Sequence, residues 1–161
     1  METSLENNHN HLPLIEYFKE QLNLPEADMR SFSPLTLAYI GDCIYELVIR
    51  TMLIEAGNAP VNKLHKRASN LVKAAAQKDL FRSIENALSE EERTVFKRGR
   101  NAKSFTSAKN ASISEYRIAT GFEALMGYLY LNNQLDRLVE LVKLGLDRMS
   151  NQDNTSSIEE G

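Results

Sequence analysis

Between residues 13 and 149 the apolar positions recur at three- and four-residue spacing. No stretch keeps the alternation of a half-buried strand between hairpin turns. The pattern predicts an all-α fold. Leu14, Ile15, Phe18 and Leu22 share one side of a short helix over 13–22. Ser33 followed by Pro34 has the form of an N-cap and first-turn proline, starting a helix that runs to about Ala56 with Gly57 as its stop. Pro60 opens the next helix, where Leu64, Ala68, Leu71, Val72 and Ala75 form a stripe, with Lys63, Lys66, Arg67, Lys73 and Lys78 off it. A bend or break is expected near Gln77 to Leu80, before the apolar segment Phe81 to Leu88. Ser89 and Glu92 have capping-box spacing and open a helix that Gly99 is expected to end, leaving Arg100 to Ser112 as a loop. A long helix follows over Ile113 to Leu131. Asn132 and Asn133 signal a turn, and Leu135, Leu138, Val139, Val142 and Leu146 define a last amphipathic helix. Residues 1–12 and 150–161 are polar and predict disordered tails around a single domain over 13–149.

Two of these helices are apolar over most of their circumference, LTLAYIGDCIYELVIRTML from Leu35 to Leu53 and ISEYRIATGFEALMGYLYL from Ile113 to Leu131. Such helices belong at the centre of a bundle. Asp42 and Glu46 are the acids of the first; past Glu115, Glu123 stands alone in the second. A carboxylate buried there without a partner is costly. Gly41 precedes Asp42, and Gly121 and Gly127 flank Glu123, so small residues stand where two helices could approach closely. Two readings remain open at this point. The helices cross and bring Asp42 and Glu123 onto one oxygen-ligand site suited to magnesium, or each acid pairs with a cation, for which Arg50 and Arg117 are available. Glu46 stands four residues before Arg50, the favourable order for an intrahelical pair. Cys43 reads as a small buried thiol.

At 161 residues, with 42% hydrophobic and 25% charged residues, the composition is that of an ordinary globular domain. A single cysteine excludes an intramolecular disulfide and the usual zinc spacings, so metal chemistry would rest on carboxylates. No apolar run has membrane-spanning length and the N-terminus has no signal-peptide pattern, so a cytoplasmic protein is expected. The net charge of −3 hides an asymmetry: Lys63 to Lys109 holds 12 Lys and Arg against 5 Asp and Glu, a local +7. Within it Lys97 to Asn110, KRGRNAKSFTSAKN, has five cations and no acid. That segment and the Lys63 to Arg67 helix are the candidates for contact with a polyanion.

LAYIGDCIYE, from Leu37 to Glu46, resembles the signature helix of ribonuclease III domains, and FEALMGYLY, from Phe122 to Tyr130, resembles their second metal-binding motif. KRGRNAKS, from Lys97 to Ser104, is similar to the basic loop of the family's short form, which lacks a double-stranded RNA-binding domain. The resemblance covers about Ser33 to Met149. It implies a ribonuclease III-like helical bundle that hydrolyses phosphodiesters of double-stranded RNA with Mg2+ and leaves 5′-phosphate ends. Asp42 and Glu123 become the catalytic, metal-binding acids. Lys63, Lys66, Arg67, Lys97, Arg98, Arg100, Asn101, Lys103 and Lys109 become the RNA-contacting set. The family's longer members have further acids where this chain has Leu35, Ala38 and Thr120, so the site is poorer in carboxylates. The resemblance further implies a homodimer acting on the precursor of large-subunit (23S) ribosomal RNA. The alternative is a non-catalytic helical module that binds such precursors without cutting them.

Overall fold

A computed structural model describes residues 12–103 and 112–159, and the chain over them is all-helical. Seven α-helices follow in order: α1 (Leu14–Gln21), α2 (Pro34–Glu55), α3 (Val61–Val72), α4 (Ala74–Ile84), α5 (Glu90–Asn101), α6 (Ile113–Leu131) and α7 (Leu135–Glu159). Short 3-10 turns occupy Met29–Ser31 and Glu85–Ala87.

Local chemistry explains most boundaries. The Ser33 hydroxyl accepts from the Thr36 amide with Pro34 at the first helical position. Ser89 with Glu92, and Ser112 with Glu115, form reciprocal capping boxes at the starts of α5 and α6. Asn133 takes a positive φ of 58° in the turn between α6 and α7.

Three boundaries differ from expectation. The break after the basic helix falls at Lys73, whose extended backbone (ψ 155°) ends α3 and starts α4, not at Gln77 to Leu80. A break there re-aims the chain so that Ala76, Gln77, Leu80, Phe81 and Ile84 all face the core, which a continuation of the α3 stripe would not do. Gly99 does not end α5, which continues to Asn101. The tail expected from residue 150 is helix as far as Glu159, with residues 150–156 exposed and held by the helix's own hydrogen bonds.

The bundle is organised around α6, where Phe122, Ala124, Leu125, Met126 and Leu129 have no exposed surface. It packs against α2 on one side, α5 and α4 on others, and α7 at its end. Glycines set two close approaches to α6. A Cβ built on Gly127 would stand 1.9 Å from the Leu37 carbonyl oxygen, and one on Gly99 would stand 2.7 Å from the Ala124 Cβ. Gly99 is thus a contact residue between α5 and α6, which is why it sits inside a helix. Phe81 and Phe96 stack at 3.7 Å between ring centroids, and Tyr45 meets Phe122 edge-on at 5.1 Å. Buried Glu92 takes a two-pronged ion pair from Arg137, both bonds at 3.0 Å, and so ties the start of α5 to α7.

Candidate active site

The two acids sit where α2 and α6 touch. A Cβ on Gly41 would lie 1.7 Å from the main-chain oxygen of Glu123, so the backbones meet at the residue before Asp42 and at Glu123 itself. The carboxyl groups of Asp42 and Glu123 are near enough for each to shift the other's ionisation. Asp42 opens to solvent, whereas Glu123 is half-buried. Burial pushes the Glu123 carboxyl up to about 7; the Gln77 hydrogen bond opposes this, and the charge of Asp42 adds to it. Asp42 is also raised, by burial and then by the charge of Glu46 one turn on. Near neutral pH the pair therefore holds on to a proton that an exposed pair would release.

Among the described residues no lysine or arginine forms an ion pair with either acid. Arg50 is taken by Glu46, at 2.6 Å, and Arg117 is exposed. The arrangement is a pair of carboxyls facing each other, not two separate ion pairs in the core. Leu35, Ala38 and Thr120 bring no further acid, and the Thr120 hydroxyl donates to the Tyr116 carbonyl at 2.9 Å. No group of three or more His, Cys, Asp or Glu is placed to hold a metal among the described residues.

Sequence reasoning missed Gln77. It is 1% exposed at the start of α4, and its Nε2 donates to Glu123 Oε1 at 3.0 Å and to the Val72 carbonyl at 2.8 Å. The available signal was one polar residue within the Ala76, Leu80, Phe81 and Ile84 face. Cys43 corrects the expectation of a buried thiol, since it is exposed on the outer face of α2.

The basic candidates fall on two helices. Lys63, Lys66 and Arg67 are exposed on α3. Lys97, Arg98, Arg100 and Asn101 lie on the last turns of α5 and not in a loop, and Lys103 is exposed just beyond. Arg100 lies 5.7 Å over the Phe96 ring and donates to the Asn101 side chain at 3.2 Å. Lys109 lies outside the described residues.

A family profile for the Ribonuclease III domain matches residues 35–134, and the chain belongs to that family. It is an endoribonuclease. The relatives it is similar to carry the name Mini-ribonuclease 3. One from Clostridium tetani is 57% identical over 74% of this chain and 80% of its own length. Another, from Enterococcus faecalis, is 50% identical over 71% of this chain and 89% of its own. A crystal structure of a Fusobacterium nucleatum protein aligns with a TM-score of 0.68 at 31% identity, covering 74% of this chain and 97% of that one.

Proposed function

We propose that this endoribonuclease cuts double-stranded RNA with Mg2+ held by Asp42 and Glu123, and that its substrate is the base-paired end region of large-subunit ribosomal RNA precursor. The observation that carries the reading is the carboxyl pair, without a lysine or arginine ion-paired to it among the described residues, where two largely apolar helices touch. Two oxygen donors of opposite exposure suit a hard divalent ion that keeps most of its water shell. A buried amide oxygen beside them, Gln77 Oε1, has no protein partner and suits a water of such a shell. When bound, the ion lowers the pKa of a water and offsets charge on the phosphoryl oxygens.

The chain's own residues do the rest. Asp42, open to solvent, meets the scissile phosphate's surroundings first, while Glu123 is fixed from behind by Gln77. Lys63, Lys66 and Arg67 on α3, with Lys97, Arg98, Arg100, Asn101 and Lys103 at the end of α5 and Lys109 beyond, grip the phosphates of an A-form duplex. Such a duplex hides its base edges in a deep groove and is read by shape. Two copies act together. Leu35, Tyr39, Cys43 and Leu47 repeat every fourth residue on α2 and are exposed, Tyr39 by 82% and Leu47 by 54%, a face suited to its own copy. No described helix is long and apolar enough to cross a membrane, in keeping with work in the cytoplasm.

The test is cleavage of a perfectly paired RNA duplex and of a ribosomal precursor stem, in magnesium or EDTA, by wild type, Asp42→Asn and Glu123→Gln. Magnesium-dependent cutting that both variants lose, with 5′-phosphate ends, is expected. Cutting that persists in EDTA overturns the metal reading, and a precursor stem left intact while the plain duplex is cut overturns the substrate.

A further inference from the structure

Gln77 has a half-satisfied amide in a fully enclosed place. Its Nε2 gives one hydrogen to the Val72 carbonyl and the other to Glu123 Oε1, at 2.8 and 3.0 Å. Its Oε1 has no partner, and among the described residues no other buried side-chain oxygen or nitrogen is in that condition. The amide's orientation follows from its neighbours, because turning it over would set its oxygen against two acceptors.

Two features make this more than packing. Val72 supplies one of the last carbonyls of α3, a group the helix itself cannot satisfy, so the amide is anchored at the end of the basic helix while it reaches Glu123. An apolar side chain of similar length would fill the space beside Ala76, Leu80 and Phe81 but would take the partner from the Val72 carbonyl and from Glu123. The free oxygen belongs to the same amide whose N–H holds the Glu123 carboxyl at 3.0 Å.

We propose that Gln77 is a positioning residue of the metal centre: its N–H holds the Glu123 carboxyl toward Asp42, and its free Oε1 accepts a hydrogen bond from a water of the bound divalent ion. This rests on the reading of Asp42 and Glu123 as the metal ligands. Groups that orient metal-ligating side chains typically alter metal affinity or activity by ten- to a hundredfold when removed.

Gln77→Met and Gln77→Leu test this, each followed by circular dichroism, by titration of Mn2+ alone with electron paramagnetic resonance, and by duplex-RNA binding in EDTA. Both are expected to keep the wild-type helical spectrum and RNA affinity. The Mn2+ dissociation constant and the magnesium concentration for half-maximal cleavage should rise together by roughly ten- to a hundredfold. Mn2+ affinity within about twofold of wild type in a folded variant overturns the proposal, a margin well inside the expected effect. Loss of fold in both variants also overturns it, because Gln77 is then a packing residue. Failure of the underlying reading looks different: wild type itself then takes up no Mn2+.

Discussion

Gly41 and Glu123 are in backbone contact: a Cβ on Gly41 would stand 1.7 Å from the Glu123 carbonyl oxygen and 2.7 Å from the Gly127 amide nitrogen. The atoms in the way are main chain, which cannot move aside as a side-chain end can. Gly41→Ala is therefore expected to force α2 and α6 apart, with a loss of about 3 kcal/mol or more. The carboxyl pair would lose its register as well. Chemical denaturation and cleavage assays check this, and a Gly41→Ala protein of wild-type stability and activity would contradict the contact.

The raised Glu123 carboxyl makes metal-free stability depend on pH. Its folded pKa, about 7, lies above the ordinary 4.5, so the folded state binds the proton more tightly. Stability from this group is then full below about 4.5 and is lost as pH rises through 7. The loss is on the order of 3 kcal/mol. In EDTA, Glu123→Gln should flatten this slope between pH 5 and about 8, as read by melting temperature. A slope unchanged in the variant would assign it to another group.

Glu92 has the opposite sign. Burial works against its ionisation, but the Arg137 and Ser89 hydrogen bonds outweigh that and hold its carboxyl below the ordinary value. Its contribution is present above about 4.5 and is lost as pH falls through the lowered value. Arg137→Ala leaves the buried carboxylate alone and should cost about 3 kcal/mol at neutral pH. A cost near zero in denaturant titration would show that the pair is not holding α5 to α7.

The sequence made the centre legible where signals were local or chemically conspicuous. Glu123 stood out as one acid in an apolar helix, and the helix starts at Ser33 and Ser89 follow from capping residues a few positions apart, whereas the Ser112–Glu115 box went unread. Gly99 was misread because glycine marks both a helix end and a close contact. The neighbours across the interface, Ala124, Gly121 and the Thr120 carbonyl, distinguish the two. The Lys73 break has neither glycine nor proline to announce it and is set by which side chains α4 must bury. Cys43 was expected inside because α2 is apolar all round, yet its outer face is exposed. Gln77 escaped notice since an amide carries no charge, and its importance lies in what it touches.

RNA contact through the two basic helices predicts graded effects. Lys66→Ala on α3 and Arg98→Ala on α5 should each weaken duplex binding in EDTA and lower the slope of log affinity against log salt by about 1. Mn2+ binding should not change. If both variants keep the wild-type salt slope, the RNA lies elsewhere.

The exposed α2 face predicts assembly. Tyr39→Asp or Leu47→Asp should shift the protein toward monomers in sedimentation velocity while leaving its helical spectrum intact. A wild type that sediments as a monomer at every concentration would remove the second copy from the account.

The most direct measurement for the carboxyl pair as a metal centre is the melting temperature of wild type and Asp42→Asn, each in EDTA and in saturating magnesium. Wild type should be stabilised by magnesium, since an ion that binds only the folded state adds stability by mass action. Asp42→Asn, relieved of one of two crowded carboxyls, should melt no lower than wild type in EDTA and gain nothing from magnesium. A variant that melts lower than wild type in EDTA, beside a wild type indifferent to magnesium, would make Asp42 a structural residue and contradict the metal centre.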